Sequence, residues 1–243
     1  MIAGMTSLDL TATAFVPATR VSTHRFYRGM AVAFLVTVIV GFSNSTHARI
    51  ATGGPPLTPL VAVHAVVFAS WFVIFFVQSM LASKGRIKLH RRLGYAAALV
   101  AAFMAVDGPY IAVQAARRGA LGSDGLAFML VMIVDVLGFA VFVSAAIYYR
   151  RRPETHKRLM LLGTTSMLPP ALIRWPWIVG HQAAIVIVLF AYLAATPFHD
   201  LVSGRRVHPV SLWGGLALFL SGPIRIAVSQ SAAWHHIANW LIR

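Results

Sequence analysis

Long apolar stretches separated by short polar turns dominate this chain. Seven such stretches are bounded by glycine, proline or basic residues: roughly 27–45, 59–83, 94–116, 126–149, 159–179, 182–202 and 210–229. Six of them provide the ~20 residues that a helix needs to cross a bilayer, and the first is marginal. Because only helices and closed barrels satisfy backbone hydrogen bonds in lipid, the pattern predicts an all-α bundle of about seven transmembrane helices.

Composition also indicates a membrane protein. Of the 243 residues, 58% are hydrophobic and 11% are charged, whereas a soluble domain carries about 25% charged residues. The net charge of +15 would suit nucleic acid, but the basic residues punctuate the apolar stretches and form no single surface. We therefore expect no nucleic-acid partner, and contact with anionic lipid instead. The chain has no cysteine, which excludes disulfides, thiolate metal sites and cysteine nucleophiles.

The distribution of basic residues predicts the orientation. Lysines and arginines concentrate in the loops on one side of the predicted spans, so that side is expected to be cytoplasmic, with the N-terminus inside and the C-terminus outside. The predicted division is a mobile cytoplasmic arm at 1–28, a transmembrane bundle at 29–230 and a periplasmic-side tail at 231–243. The tail is either an amphipathic helix in the outer interface or a last turn frayed into water. The residues expected to face lipid phosphate on the cytoplasmic side are His90, Arg91, Arg92, His156, Lys157 and Arg158.

Four charged residues lie four or more residues from either end of an apolar stretch: Asp107, Asp135, Arg174 and Arg225. A charge at the bilayer centre costs ~2.5–3.5 kcal/mol on insertion scales, so each needs a partner or a task. Asp107, Arg174 and Arg225 follow a loop histidine by 17 or 18 residues. At about 1.5 Å per helical residue, they lie at one depth, ~26 Å from that loop.

Other polar residues recur at helical spacing on the second and third predicted helices. His64, Trp71 and Gln78 are seven residues apart, and Gln114 follows Asp107 by seven. Polar groups on one helix face should point into the bundle. The pattern predicts an outward-facing polar pocket that includes Gln78, Asp107, Gln114 and Asp135. The alternative is that the buried ion pairs only hold helices together.

Three functions fit such a pocket. The first is haem b binding, with His64 as an axial ligand, His181 as a second one, Arg174 and Arg225 on the propionates, and Trp71 along the macrocycle. The second is a small-solute or proton-coupled carrier built on the buried carboxylates. The third is a non-catalytic subunit in the assembly of a larger respiratory complex. Hydrolase, phosphate-loop and zinc-hydrolase motifs are absent, and no spacing is diagnostic of a metal, so the sequence does not say whether the protein is an enzyme.

Several motifs resemble those of a widespread family of bacterial multispanning inner-membrane proteins with no established activity. The motifs are His64-x6-Trp71-x6-Gln78, Leu89-His90-Arg91-Arg92-Leu93-Gly94, Thr155-His156-Lys157-Arg158-Leu159-Met160 and the stretch from Arg206-Val207-His208-Pro209 to Trp213-Gly214-Gly215. The resemblance implies location in a bacterial inner membrane and transfers no catalytic residue. A looser similarity to small oxidase-assembly membrane proteins favours haem or respiratory-complex work by analogy.

Overall fold

The computed structural model describes residues 18–178, 180–203 and 206–243, without the side chains of 18–22 and 182, and all regular elements in these ranges are helical. The helices are α1 Ala18–Ala51, α2 Pro59–Ser83, α3 Ile87–Arg117, α4 Gly125–Tyr148, α5 Pro153–Ser166, α6 Pro169–Leu172, α7 Gln182–Val202, α8 Gly215–Ser229 and α9 Ala232–Leu241. A five-residue π-helical segment, Val210–Gly214, leads directly into α8.

Six helices in the described ranges are long and apolar enough to cross a membrane. They are α1 (from Thr23), α2, α3, α4, α7 (from Ala183) and the continuous helix Val210–Ser229. Their outward faces carry large apolar side chains, such as Val66, Leu99, Val106 and Val141, which are mostly exposed. An outer surface of this kind suits lipid and not water. The protein is therefore an all-helical, multi-pass membrane protein, as the apolar pattern predicted.

The predicted fifth span is not one continuous helix. Residues 159–179 were expected to form it, but α5 ends at Ser166 and the four-residue α6 follows, with turns up to residue 178. Pro169 and Pro170 explain the break. A proline lacks the N–H that would continue the hydrogen bonds of the helix, and its ring clashes with the carbonyl of the preceding turn.

The bounds of α1, α3 and the C-terminal tail differ from those predicted from the sequence or add to them. Helix α1 begins at Ala18, within the predicted 1–28 arm, and residues 1–17 of that arm lie outside the described residues. Helix α3 begins at Ile87, seven residues before the predicted start at 94. At the other end, residues 232–241 form α9, whose first turn is capped by the Ser231 side chain. The helical alternative for the tail is therefore the observed one.

Contacts between helix ends show that consecutive long helices run antiparallel. The start of α1 lies by the start of α5 and the end of α7, since Lys157 is over the Tyr27 ring and Phe26 stacks on His199. The start of α3 lies by the start of α5 through His90 and His156. We call this the basic end of the bundle, defined by the α2–α3, α4–α5 and α7–α8 connections. Arg117 at the end of α3 binds the Leu241 carbonyl of α9 at the opposite end.

The core lies between α1–α4 and the α5–α6 segment. Its largest fully buried side chains include Phe34, Trp71, Met104, Phe139 and Leu168, which come from five different helices or connections. A smaller apolar cluster joins α9 to α3 and α4 through Trp234 and Ala238. This packing fixes the positions of the polar side chains described next, since close-packed side chains leave little room for helix displacement.

Candidate functional site

The buried charges predicted from the sequence are held in separate contacts and not in one group. The first contact joins α2 to α3, where His64 Nδ1 lies 2.7 Å from Asp107 Oδ2. Asp107 is 7% exposed, and the His64 side chain is 22% exposed. The Phe68 ring, one turn along α2, lies against the His64 ring with centroids 4.1 Å apart.

A helix cap on α2 and a glycine on α3 help to position His64 and Asp107. Thr58 caps the first turn of α2 and Pro59 occupies its first position, which fixes the start of the helix five residues before His64. Gly108 follows Asp107, and a Cβ there would meet Val136 of α4 at 2.6 Å. The absence of that atom lets α3 approach α4 closely, so Asp107 and Asp135 lie on neighbouring helices.

The hydrogen bond to Asp107 sets the chemistry of His64. A carboxylate oxygen accepts, so Nδ1 carries the proton and donates it. In the neutral ring, Nε2 then has a free lone pair. Most metal-ligating histidines donate their other ring N–H to a carboxylate, a backbone carbonyl or a water, which orients the ring and raises its basicity, and Asp107 is such a partner.

The second contact joins α4 to α8, where Arg225 donates to the Asp135 carboxylate. The pair borders a cavity of about 20 Å³ that is also lined by Thr165, Ser166 and Ser221. This volume suits about one water molecule. The three hydroxyls each donate to a backbone carbonyl of their own helix, and their oxygens remain able to accept.

Arg174 takes a third position, away from both carboxylates. Its guanidinium donates to the Pro170 carbonyl and lies over the Phe42 ring, 5.0 Å from the centroid. Asn44 of α1 donates to the Arg174 carbonyl. The partner of Asp107 is thus His64, and the expected convergence of Arg174 with the aspartates is not observed.

The remaining predicted pocket and cofactor residues are dispersed. Trp71 is 1% exposed and donates from Nε1 to the Thr164 hydroxyl, edge-on to Phe139. Gln78 is buried near the basic end and donates to the His90 carbonyl, while Gln114 is half-buried near the end of α3. His181 is exposed and precedes α7.

The predicted lipid-facing group at the basic end divides into two sets. Arg91 and Arg92 are exposed. His90 and His156 are half-buried, and their Nδ1 atoms contact the backbone carbonyls of Gln78 and Ala146. Lys157 is half-buried and donates to Glu154.

The prediction that Arg158 faces lipid is wrong. Its side chain is 4% exposed and forms a buried ion pair with Asp200 of α7 at 2.5 Å. It also donates to the Ser211 hydroxyl and to Glu154. The helical period turns Arg158 into the bundle, whereas its neighbour Lys157 lies at the edge, against Glu154 and Tyr27. Asp200 was missed, although it is an acid inside an apolar span and the rule applied to Asp107 and Asp135 would have found it.

Two titratable groups around Arg158 have shifted pKa values. Partial burial raises the pKa of the Glu154 carboxyl, but hydrogen bonds and charge from Lys157 and Arg158 outweigh it and lower the pKa to about 2. Burial lowers the pKa of His208, and the Arg158 charge lowers it further. His208 also donates its backbone N–H to Asp200, which ties the α7–α8 connection into the same network.

Among the described residues, no three His, Cys, Asp or Glu side chains cluster as a metal-binding group. No family model, curated protein or solved structure matches the chain. The site must therefore be interpreted from its own geometry.

Proposed function

We propose that this protein is a haem-linked membrane protein in which His64 is an axial ligand to the iron of haem b. The observation that carries the proposal is the hydrogen bond from His64 Nδ1 to Asp107, which leaves Nε2 as the ligating atom. His64 is partly exposed and Asp107 is buried behind it, so the ring has one protected and one accessible edge. The bound haem would supply one-electron chemistry, either for the protein itself or for a respiratory complex that it helps to assemble.

The other residues that the sequence predicts as haem contacts are less suitably placed. Arg225 is already neutralised by Asp135, and Arg174 lies against α1, so neither guanidinium is available next to His64 for a propionate. Trp71 is enclosed in the core and His181 precedes α7 on the surface. His64, with Asp107 and Phe68 beside it, therefore supports the proposed position, and no second ligand comes from the predicted set.

We further propose seven membrane crossings in a bacterial inner membrane, with the basic end in the cytoplasm. The start of α5 lies at the basic end, whereas Arg174 contacts Phe42 and Asn44 in the last third of α1. The bent α5–α6 segment therefore runs most of the length of α1, which supports a crossing made by a broken helix. Exposed arginines at the basic end suit anionic lipid of the inner leaflet.

The test is the absorption spectrum of the full-length protein, produced in haem-replete cells and purified in mild detergent. We expect a Soret band that weakens in His64→Ala. Asp107→Asn should retain some haem but bind it 10–100-fold less tightly, because the oriented carboxylate is lost. His47→Ala, at an exposed position of α1, is the matched control. A Soret band unchanged in His64→Ala would exclude His64 as a ligand.

A proton-coupled carrier is the second candidate, and the Asp135–Arg225 cavity favours it. A single water in a space of about 20 Å³, next to a carboxylate and three hydroxyls, is a suitable element of a proton path. This function requires proton flux in proteoliposomes that falls in Asp135→Asn. Equal flux in the variant and the wild-type protein would exclude this mechanism.

A further inference from the structure

Arg174 is a half-buried cation in the segment after α6, at the end of the bundle opposite to the basic end. Arg158 and Arg225, which also lie within the bundle, each bind an aspartate. Among the described residues, no carboxylate lies within ion-pair distance of Arg174. A cation at membrane depth is costly without an anion beside it, so Arg174 differs from the other two in a way that needs an explanation.

The shortage of carboxylates is a property of the whole chain, which contains only six acidic residues. Four of them already have cationic or histidine partners: Asp107, Asp135, Glu154 and Asp200. Asp124 is in the exposed connection between α3 and α4, and Asp9 lies outside the described residues. The described part of the chain therefore offers Arg174 no carboxylate, and an anion from the surroundings is its natural partner.

Most of the hydrogen-bonding capacity of the Arg174 guanidinium is unused. A guanidinium has five N–H donors. Nη1 donates to the Pro170 carbonyl, and the group lies over the Phe42 ring. Nε and Nη2 have no partner among the described residues, and neither is an enclosed atom, so both are accessible from the surface. The parallel N–H groups of Nε and Nη2 match two oxygens of one phosphate group.

Hydrogen bonds hold the segment that carries this guanidinium against the second half of α1. Asn44 donates from Nδ2 to the Arg174 carbonyl at 2.8 Å, and Trp175 donates from Nε1 to the Thr37 carbonyl at 2.9 Å. The backbone on both sides of the Arg174 side chain is therefore fixed before any ligand arrives. A preorganised cation loses little conformational freedom on binding, which favours affinity.

The surroundings of the guanidinium are those of a boundary between lipid and water. Exposed apolar side chains form a ridge along α1, in which Ile39 and Phe42 are the last before the polar run 43–47. Trp177, three residues after Arg174, is 74% exposed. Aromatic side chains mark the interfaces of membrane proteins, and arginine side chains extend towards the headgroups there. Arg174 therefore lies where lipid phosphates are found.

We propose that Arg174 binds the phosphate group of a membrane phospholipid in the leaflet opposite to the basic end. The phosphate suits the two free N–H groups, and an acyl chain suits the ridge of Val32, Val36 and Ile39, which share one face of α1. A soluble phosphate would use the guanidinium alone and leave the ridge uncovered. The inference goes beyond the proposed function and does not depend on it, because it uses no residue of the His64 position.

The experiment measures which positions of the full-length protein crosslink to a bound phospholipid. The photoreactive residue p-benzoylphenylalanine replaces Ile39 beside the proposed site or, as the control, Val106 on the exposed face of α3. Protein in mild detergent is titrated with phosphatidylglycerol, irradiated and analysed for lipid adducts by mass spectrometry. Variants are compared at equal monodisperse elution from size exclusion. Adducts at Ile39 should reach half their maximum at a lower lipid concentration than adducts at Val106.

Arg174→Gln should raise the half-maximal lipid concentration at Ile39 about tenfold, because charge-assisted hydrogen bonds to the phosphate are lost. Adducts at Val106 should not change. Arg174→Lys, which keeps the charge but not the paired donors, should have a smaller effect. Arg118→Gln, at an exposed position of the same end, should have none. Diacylglycerol, which has the acyl chains and no phosphate, should crosslink at Ile39 equally in the wild-type protein and in Arg174→Gln.

Three results would overturn the proposal. The first is an equal half-maximal lipid concentration at Ile39 in the wild-type protein and in Arg174→Gln. The second is an equal loss in Arg118→Gln, which would show an effect of net charge alone. The third is displacement of the lipid by an equal concentration of glycerol phosphate, which would make the site one for a soluble phosphate. None of these results changes the Soret band expected from His64, so the two proposals fail separately.

Discussion

At the scale of single residues, the membrane-embedded carboxylates are each matched to a proton donor. Asp107 accepts from His64, and Asp135 accepts from Arg225. At the basic end, Asp200 accepts from Arg158. Such pairing offsets the cost of placing a charge in a low-dielectric interior, provided that both partners remain.

The Asp135–Arg225 pair gives a prediction about stability. Asp135→Ala and Arg225→Ala should each lower the free energy of unfolding by about 3–5 kcal/mol, because each leaves the other charge buried and uncompensated. The double variant should lose far less than the sum of the two. Unfolding in mixtures of mild detergent and SDS would measure these free energies. The control is the same set of single and double variants at two exposed positions, Arg118→Ala and Asp124→Ala. Effects of Asp135→Ala and Arg225→Ala that add within about 0.5 kcal/mol would show that the two side chains do not interact.

Glu154 gives a prediction about pH. Its pKa of about 2 in the folded protein lies below the ordinary pKa of 4.5 for a glutamate. The ionised form therefore stabilises the fold above about pH 4.5, and this contribution disappears as the pH falls towards 2. Glu154→Gln should therefore lower the melting temperature at pH 7 and have a diminishing effect as the medium is acidified. The effect should be less than about 1 kcal/mol because the side chain is half exposed.

The matched control for Glu154 is Asp124→Asn in the exposed connection between α3 and α4. Melting curves of both variants and the wild-type protein, recorded in detergent between pH 7 and pH 3, would measure the difference. A destabilisation by Glu154→Gln that stays constant over this range would contradict the assignment.

The sequence predicts the need of a residue for a partner when that need depends on the segment around the residue alone. The cost of a buried charge identified Asp107, Asp135 and Arg225 as residues that need partners, and the structure gives each one a partner. The cost of a buried charge does not indicate whether His64 or Arg174 is the partner of Asp107, because the partner depends on the order of the helices in the bundle. The sequence also does not give the direction of the Arg158 side chain. The basic residues around it predicted contact with lipid, but Arg158 is buried against Asp200.

At the scale of helices, proline and glycine decide where the bundle departs from regular spans. The apolar content of residues 159–179 predicted one continuous helix, whereas the structure has α5, a break and the short α6. Pro169 and Pro170 end α5 early and direct α6 against α1. The two prolines were visible in the sequence, but proline within a membrane helix is often tolerated, as Pro109, Pro197 and Pro223 are here.

The contact between α1 and α6 gives a prediction at this scale. A Cβ at Gly41 would overlap the backbone carbonyl of Ala171. Gly41→Ala should therefore lower the free energy of unfolding by about 1–3 kcal/mol, because backbone cannot move aside as a side chain can. Gly29→Ala in the same helix is the control, since a Cβ there meets nothing within 4 Å. That variant should be neutral or stabilising by up to about 1 kcal/mol, given the higher helix propensity of alanine. Equal effects at both positions in SDS unfolding would contradict the close approach.

At the scale of the whole molecule, the orientation in the membrane can be tested by labelling. The chain contains no cysteine, so single cysteines report without background. In spheroplasts, an impermeant maleimide should label Thr52→Cys and Ser123→Cys, and should label Lys84→Cys only after lysis. Trp177→Cys, between α6 and α7 and 74% exposed, should behave like Ser123→Cys if the broken segment crosses the membrane. Protection of Trp177→Cys until lysis would contradict the seventh crossing. Labelling of Lys84→Cys in intact spheroplasts, with Thr52→Cys and Ser123→Cys labelled only after lysis, would show the reverse orientation.

The account depends most on the protein holding haem through its histidines. The direct measurement is the dithionite-reduced minus oxidised difference spectrum of the full-length protein, purified in mild detergent from haem-replete cells. We expect a Soret feature with the α and β bands of a b-type haem, since His64 presents Nε2 as a nitrogen ligand. A flat difference spectrum from folded, monodisperse protein would contradict the account.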